Sequence, residues 1–193
     1  MTPIVYFSTA INFPSSEAFF RKVLGNHLGL AADRLRICLS AHGKPFLEGH
    51  SGIHFNISHA ADAIVCAVSD RPVGIDMEKK RKVNLRIINR FFAENERAFV
   101  LAGHNDQDER FTQIWTMKEA YVKYTGKGLA ESFEEFDVLG MEDLLTFKHL
   151  DYHIAICQGI KIKNDLSYPG PQQFTESILA VNSGYITTAR NII

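Results

Sequence analysis

Two short acidic segments hold the side chains of this sequence that are best suited to chemistry. Asp76 and Glu78 are separated by one residue, and in a strand that spacing turns both carboxylates to one face while Met77 points to the other. Glu119 follows later and has Lys123 four residues after it. Three carboxylates with a cation beside them suit a hard divalent metal ion and a phosphate-bearing substrate. The sequence therefore predicts a metal-dependent reaction at a phosphate group.

The segment around Glu119 has the pattern of a helix, which we predict over residues 110–125. Glu119 shares one helical face with Trp115 and Lys123, which would make Glu119 a metal ligand and aim Lys123 at a phosphate or a general base. An exposed Glu–Lys pair is the alternative, and such a pair contributes only about 0.3–0.5 kcal/mol. Another face carries apolar residues at the spacing of a buried stripe, namely Ile114, Met117, Tyr121 and Tyr124.

The Asp76–Glu78 pair also has a second interpretation, because it leads directly into the basic run Lys79-Lys80-Arg81-Lys82. Taken alone, an acid-x-acid pair is a weak signal, and a solvated strand end would explain it. The basic run itself is either a solvated helix start or a local surface for an acidic partner.

Two further segments supply groups that can bind an anion. Gly43-Lys44-Pro45 is predicted as an exposed turn that holds its lysine at a rigid Xaa-Pro junction. Phe55-Asn56-Ile57-Ser58-His59 is predicted as a strand that ends in a cluster of hydrogen-bonding groups. A histidine at a strand end is more often structural than functional, but Ser58 and His59 precede the acidic strand directly.

Composition excludes several classes of protein. The 193 residues are 46% hydrophobic, which is enough for a packed core, and the formal net charge of -1 does not favour nucleic acid as a partner. No apolar run reaches the roughly 18 residues that span a bilayer, and the N-terminus lacks the pattern of a signal peptide. The three scattered cysteines are expected to be free, buried thiols of a reducing compartment. We therefore expect a soluble, cytoplasmic protein that binds neither nucleic acid nor membrane.

Strand-like and helix-like segments alternate, which predicts an α+β fold. A helix followed by Gly-Leu-Ala and an apolar strand occurs twice, with Gly29-Leu30-Ala31 in the first copy and Gly128-Leu129-Ala130 in the second. Ser58-His59 with its following strand is likewise echoed by Lys148-His149. Two matched pieces in one order predict a pseudo-two-fold duplication, with an N-terminal lobe over 1–100 and a C-terminal lobe over 101–193. The acidic segments would lie at the lobe junction, where ligand clefts often form, although generic helix–strand units can also match by chance.

The ordered set of motifs resembles the 4′-phosphopantetheinyl transferases of the surfactin-synthetase-activating type. The blocks that carry the resemblance run from about residue 43 to 129 and are Gly43-Lys44-Pro45, Phe55-Asn56-Ile57-Ser58-His59, Gly74-Ile75-Asp76-Met77-Glu78, Phe91-Phe92…Glu96 and Trp115-Thr116-Met117-Lys118-Glu119-Ala120…Lys123…Gly126-Lys127-Gly128-Leu129. Each block is modest alone, whereas their coincidence in order is specific. The resemblance implies a pseudo-dimeric α+β fold.

The resemblance also implies the reaction and its partners. Such enzymes move 4′-phosphopantetheine from coenzyme A to a serine of an apo carrier protein and release adenosine 3′,5′-bisphosphate. Coenzyme A and an acidic acyl or peptidyl carrier protein would be the partners, Mg²⁺ the cofactor, and a monomer the expected state. The carrier would belong to fatty-acid, polyketide or nonribosomal peptide synthesis.

Site residues follow from the resemblance position by position. Asp76, Glu78 and Glu119 match the Mg²⁺ ligands. From the chemistry of the reaction, Glu119 is the best candidate for deprotonating the incoming serine, either directly or through a metal-bound water. The remaining matches concern the phosphates of coenzyme A. Lys44 with the adjoining Pro45, and His59 with the adjoining Ser58, match contacts of coenzyme A. Lys118 and Lys123 match the cations beside the pyrophosphate, and Arg21 lies roughly where an arginine meets the 3′-phosphate. Glu96 matches an acid with a metal or structural role. The segment before Arg21, about 20 residues, is shorter than the family pattern and is a departure from it.

Two other functions remain open at this point. One is a binding module for coenzyme A or a carrier protein that has the fold without catalysis. The other is a Mg²⁺-dependent phosphohydrolase that uses the same carboxylates with water as the nucleophile.

Overall fold

A computed structural model of the chain describes residues 3–9, 12–128, 131–159, 180–182 and 185–187. The described elements are mixed α and β, as the sequence predicts. The helices are α1 (Ser16–Leu28), α2 (Leu85–Phe91), α3 (Glu94–Leu101) and α4 (Gln107–Thr125). The strands are β1 (Ile4–Thr9), β2 (Ile37–Leu39), β3 (Pro45–Leu47), β4 (His54–His59), β5 (Ala63–Ser69), β6 (Val73–Lys79), β7 (Leu144–His149), β8 (Tyr152–Gln158), β9 (Ala180–Asn182) and β10 (Tyr185–Thr187).

Two three-stranded antiparallel sheets share one topology. The first has the order β1-β5-β4 and the second the order β6-β8-β7. In each sheet the strand that comes last in the sequence, β5 or β8, lies in the middle and pairs with the two others. Each sheet also has a long helix between its first and second strands, α1 in the first and α4 in the second. This repetition supports the duplication that the sequence predicts.

The chain passes from the first sheet to the second between Ser69, where β5 ends, and Val73, where β6 begins. We use "first lobe" for β1–β5 with α1, and "second lobe" for β6–β8 with α2–α4. The lobe boundary predicted after residue 100 stays a prediction of the sequence, whereas sheet membership places β6, α2 and α3 with the second lobe.

Alternate residues of the two sheets form one shared hydrophobic core. Strand β6 contributes Val73, Ile75 and Met77 to it, and the other strands contribute Val5, Phe7, Ala63, Val65, Ala67, Tyr152, Ile154 and Ile156. The intervening residues of each sheet pack against the helix of its own lobe. Cys66 lies in the core beside α1 and Cys157 in the core beside α4, and both are free thiols.

Helix α4 lies directly against β6 because position 74 carries no side chain. A Cβ built on Gly74 would stand 2.1 Å from the carbonyl oxygen of Ala120 and 2.3 Å from the amide nitrogen of Tyr124. Real Cβ atoms do not approach backbone so closely, so Gly74 sets the distance between the strand and the helix that carry the acidic segments.

Two sequence predictions differ from the structure. Residues 133–139 are predicted as a strand but form two short 3-10 helices, Phe133–Glu135 and Val138–Gly140. Their backbone is held by side chains instead of a ladder, because Asp137 accepts from the amide of Leu139 and the distant Glu96 accepts from the amide of Val138. The predicted last strand near residues 177–181 overlaps β9, but most of that segment lies outside the described residues.

Gly74→Ala is expected to destabilise the protein by about 3 kcal/mol, because backbone cannot move aside as a side chain can. Gly140→Ala is the matched control, since nothing lies within 4 Å of a Cβ there, and it should change the free energy of unfolding by no more than about 0.5 kcal/mol. Urea denaturation measures both. Equal midpoints for the two variants would contradict the close approach.

Candidate active site between the two lobes

Strand β6 presents Asp76 and Glu78 to α4, as their spacing predicts. Met77 and Ile75 face the shared core from the opposite side of the strand. Asp76 is 5% exposed, and Glu78 is partly buried. A buried carboxylate needs hydrogen-bond donors or a cation, and both lobes supply them here.

One carboxylate oxygen of Asp76 joins three elements. The Ser58 hydroxyl of β4 donates to Asp76 Oδ1 at 2.7 Å, and the Lys123 ammonium of α4 lies 2.7 Å from the same oxygen. Lys123 also donates to Ser58 Oγ at 3.0 Å. The other oxygen, Oδ2, is buried and has no hydrogen-bond partner among the residues that the structure describes. Asp76 thus keeps one acceptor position open for a further donor or a cation.

Glu119 and Glu78 stand near Asp76 in an environment that favours their protonated forms. Burial and the negative charges of Asp76 and Glu78 raise the pKa of Glu119 to about 7. Burial and the Asp76 charge also raise the pKa of Glu78, although Arg81 at 3.1 Å opposes that shift. Three acids that repel one another in a partly buried place are the donor set that a hard cation stabilises.

Two of the three acids are paired with cations as the side chains lie here. Within residues 3–9, 12–128 and 131–159, no three His, Cys, Asp or Glu side chains are grouped closely enough to hold a metal. Lys123 is bonded to Asp76, and Arg81 is bonded to Glu78. In this arrangement the two cations neutralise the carboxylates.

A cleft of about 300 Å³ opens beside these residues. Glu119, Val122 and Lys123 of α4 line one side of it, and the first lobe supplies the residues of the 42–45 turn with Asn56 and Ile57 of β4. Pro45 also lines the cleft. A neighbouring cleft of about 400 Å³ lies next to the same turn. The candidate site is therefore a groove between the lobes.

Lys44 links the first lobe to the end of α4 by hydrogen bonds. Its ammonium donates to the carbonyl of Val73 at 3.0 Å and to the carbonyl of Tyr124 at 3.1 Å. A cation is favourable at that position because the helix C-terminus carries partial negative charge. Burial lowers the pKa of Lys44 to about 8. The ammonium that the sequence assigns to a phosphate is thus bound to backbone beside the cleft.

Lys118 does not join the site, although it precedes Glu119. Its ammonium is fully buried and lies 2.9 and 2.7 Å from the two carboxylate oxygens of Glu96, with the carbonyl of Phe136 at 2.8 Å. Glu96 in turn accepts from the amides of Ala93 and Val138. Because every donor and acceptor of this pair is used, the structure supports a structural role for Glu96 and gives the predicted phosphate contact of Lys118 no support.

Arg21 and His59 lie outside the cleft that Glu119 and Lys123 line. Arg21 is on α1, where it pairs with Glu17 at 2.7 Å and donates to the carbonyl of Leu35. His59 is exposed at the end of β4. Ser58 has the clearest contact of the Ser-His pair, and that contact is with Asp76 and not with the open cleft.

The basic run Lys79-Lys80-Arg81-Lys82, at the end of β6, forms ion pairs with acidic side chains of both lobes. Lys79 lies 2.5 Å from Asp62, and Lys82 lies 2.8 Å from Asp108. Arg86 and Arg90 on α2 are exposed, and Arg90 lies over the ring of Phe91. The positive surface beside the acids is consequently smaller than the sequence run indicates.

Asn56 is a residue of the site to which the sequence interpretation gives no role. It is 4% exposed, and its carbonyl oxygen accepts from the amide of Ile75 at 2.8 Å, which ties β4 to β6. The sequence did contain a signal for this contact, because Asn56 is a polar residue between the apolar Phe55 and Ile57. A polar side chain in a buried strand needs a hydrogen-bond partner.

Several known proteins are similar to this chain. Residues 72–158 match the model of the 4′-phosphopantetheinyl transferase superfamily. The chain is 33% identical over 142 residues to the 4′-phosphopantetheinyl transferase ffp of Bacillus subtilis. The aligned region covers 73% of this chain and 63% of that relative. It is 39% identical over 114 residues to the 4′-phosphopantetheinyl transferase gsp of Aneurinibacillus migulanus, covering 58% of this chain and 47% of the relative.

The matches leave part of each relative uncovered. The chain spans 63%, 55% and 47% of the length of three such transferases. A solved structure, the holo-[acyl-carrier-protein] synthase of Thermotoga maritima, is 18% identical with a TM-score of 0.37, covering 61% of this chain and 82% of that one. No helix in the part of the chain that the structure describes is long and apolar enough to cross a membrane.

Lys118→Met should cost about 3–5 kcal/mol of stability, because it leaves the Glu96 carboxylate buried without its cation. Adding Glu96→Gln, which keeps an acceptor but removes the charge, should restore part of that loss. Lys22→Met on the exposed side of α1 is the control for removing a lysine. Chemical denaturation measures all three, and a Lys118→Met protein as stable as the control would contradict the buried pair.

Glu119→Gln should change the pH dependence of stability in the metal-free protein. A folded-state pKa of about 7 means that the carboxyl contributes its full stability below its unfolded pKa and loses it as the pH rises through 7. The Gln variant has no such loss. The free energy of unfolding of the variant minus that of the wild type should therefore be larger at pH 8 than at pH 5, by on the order of 2 kcal/mol.

Denaturation midpoints in EDTA between pH 5 and pH 8 measure this difference. Glu48→Gln, at an exposed position, is the control for losing one carboxylate. Parallel stability curves for the wild type and Glu119→Gln would show that Glu119 is not in the environment described.

Proposed function

We propose that this chain belongs to the 4′-phosphopantetheinyl transferase superfamily and transfers the 4′-phosphopantetheine group of coenzyme A to a serine of an apo carrier protein. The observation that carries the proposal is the meeting of Asp76, Ser58 and Lys123 beside Glu119 at the cleft between the lobes. These four residues come from three of the blocks by which the sequence resembles the family. The similarity of residues 72–158 to the superfamily supports the same conclusion.

The reaction joins the serine oxygen to the phosphorus that bears the pantetheine arm. The pyrophosphate bond to the nucleotide breaks, adenosine 3′,5′-bisphosphate leaves, and the serine proton passes to a base. Holding both substrates in one cleft removes much of the entropic cost of their meeting. A groove between two lobes, with carboxylates and an ammonium at one end, suits this geometry.

Glu119 is our candidate for the base. It lines the cleft and is not among the carboxylates that Lys123 or Arg81 bind. A pKa of about 7 suits a group that must accept a proton near neutral pH, because a general base works best when its pKa is close to the operating pH. Lys123 would hold negative charge on the pyrophosphate, being the ammonium closest to Asp76.

The residues present also fit a Mg²⁺ ion. Asp76 Oδ2 is buried without a partner among the described residues, and the raised pKa values of Glu78 and Glu119 support a cation between these acids. Asp76, Glu78 and Glu119 would hold the ion, which would supply charge neutralisation of the pyrophosphate. Its affinity would depend on competition with Lys123 for Asp76 and with Arg81 for Glu78.

The partner protein is proposed from charge. Carrier proteins of this reaction class are acidic, and the exposed Arg86 and Arg90 of α2 stand close in sequence to the acidic strand. They could attract such a partner and accelerate its encounter with the enzyme. A monomeric, cytoplasmic enzyme that binds neither nucleic acid nor membrane remains the expectation from the sequence.

The test is the conversion of a carrier protein. Incubation of an apo carrier protein with the purified chain, coenzyme A and Mg²⁺ should add about 340 Da, the mass of the phosphopantetheine group that the proposed site would transfer. Intact-protein mass spectrometry measures the shift over a panel of carriers. Asp76→Asn should reduce the rate by roughly 100-fold or more, because it removes the negative charge that positions Lys123 and that would hold the Mg²⁺ ion.

Three outcomes would argue against the proposal. Coenzyme A binding without any mass shift would identify a binding module. Release of adenosine 3′,5′-bisphosphate without a carrier would identify a phosphohydrolase. Full activity of Asp76→Asn would show that the reaction takes place elsewhere.

A further inference from the structure

From Asp76 to residue 83 the chain follows α4 and runs along the helix towards its N-terminus. Asp76 is bonded to Lys123 near the C-terminal end of the helix. The amide of Arg81, after the strand has ended, donates to the hydroxyl of Thr112 at 2.9 Å. Thr112, Glu119 and Lys123 share one face of α4, and about three helical turns separate the first from the last. The acidic strand and this face are therefore joined on both sides of Glu119.

The Thr112 hydroxyl is a buried group that is used both as acceptor and as donor. Thr112 is 0% exposed, and besides accepting from Arg81 it donates to the carbonyl of Asp108 at 2.6 Å. The side chain of Asp108 continues the same contact, because it accepts from the amide of Val83 at 2.9 Å and lies 2.8 Å from the ammonium of Lys82. The segment has left the ladder of β6, so two side chains of α4 supply its backbone hydrogen bonds instead.

This attachment determines where the Arg81 side chain stands. Its guanidinium donates to Glu78 Oε1 at 3.1 Å and lies over the ring of Trp115, 5.8 Å from the ring centroid. Because a carboxylate has two oxygens with several acceptor positions, the bond to Arg81 orients Glu78 without using all of them. Glu78 is thus held by a guanidinium whose own backbone is fixed by Thr112.

We propose that Thr112 is a positioning residue for the transfer reaction: its hydroxyl fixes the chain after β6 to α4 and so keeps Glu78 in place beside Glu119. This inference rests on the proposed function. Thr112 stands about two helical turns before Glu119 and acts through Arg81 and Glu78. Loss of the hydroxyl would leave the Arg81 amide without its acceptor, which is costly for a backbone donor, and the segment would shift.

Thr112→Val and Thr112→Ser separate the hydroxyl from the packing of the side chain. Valine keeps nearly the same volume and loses the bond to Arg81, whereas serine keeps the hydroxyl and loses a methyl group. Thr112→Val should lower kcat for carrier modification roughly ten- to a hundred-fold, because a small displacement of a reacting group is costly. The KM for coenzyme A should stay within about twofold. Thr112→Ser should recover most of kcat.

Thr116→Val is the matched control for losing a buried threonine hydroxyl. Thr116 lies one turn further along α4 and is 1% exposed. Among the described residues its hydroxyl bonds the carbonyl of Thr112, at 2.7 Å, and nothing outside the helix. The control should therefore keep the kcat of the wild type.

Fluorescence reports on the attachment without substrates, because Trp115 is the only tryptophan of the sequence. Release of Arg81 from the ring should expose Trp115, so acrylamide should quench its emission more strongly in Thr112→Val than in the wild type. Thr112→Ser and Thr116→Val should be quenched as the wild type is. Circular dichroism checks that each variant is folded.

Wild-type kcat and quenching in a folded Thr112→Val protein would overturn the inference, as would equal losses of kcat in the valine and serine variants. If Thr112→Val does not fold, Asp108→Ala removes the second attachment of the same segment, and unchanged kcat and quenching there would overturn the inference. A wild-type protein without transferase activity would overturn the proposed function and the positioning role with it. The quenching series would in that case still decide whether Thr112 fixes Arg81.

Discussion

The contact between β6 and α4 is the constraint on which the site depends. The two acidic segments lie on these two elements, and they come within reach of each other because Gly74 allows the helix backbone to approach the strand. Any side chain at that position would push the helix outward. Lys123 could then no longer reach Asp76 at 2.7 Å. The chemistry of the site is thus set by a residue that has no functional group.

A second constraint fixes α4 from its other side. The buried Lys118–Glu96 pair joins α4 to the start of α3 and to the loop after Phe136. Buried ion pairs are costly to break and only weakly stabilising overall, so this pair is better understood as specifying where α4 lies. Lys118 and Glu119 are adjacent, and consequently one points into the core of the second lobe while the other faces the cleft.

Much of the fold and of the site could be predicted from local patterns. The alternation in β6 correctly placed Asp76 and Glu78 opposite Met77, and the repeated helix–strand units correctly indicated two similar lobes. Lys44 and Lys118 could not be assigned in the same way. Their partners are carbonyls and an acid at least 18 residues away, and nothing in the local sequence shows whether an ammonium reaches solvent or backbone. The 3-10 segments after Phe133 likewise depend on Glu96.

The matching topology of the two sheets has a consequence for assembly. Ser58 and Asn56 come from the first lobe, and Asp76, Glu119 and Lys123 come from the second, so the site has the character of an interface between two similar units. Joining these units in one polypeptide replaces a bimolecular association by an intramolecular one, with an effective local concentration set by the connection between β5 and β6. That connection is a turn of only a few residues. The two halves of the site therefore remain together at any dilution at which the chain is folded.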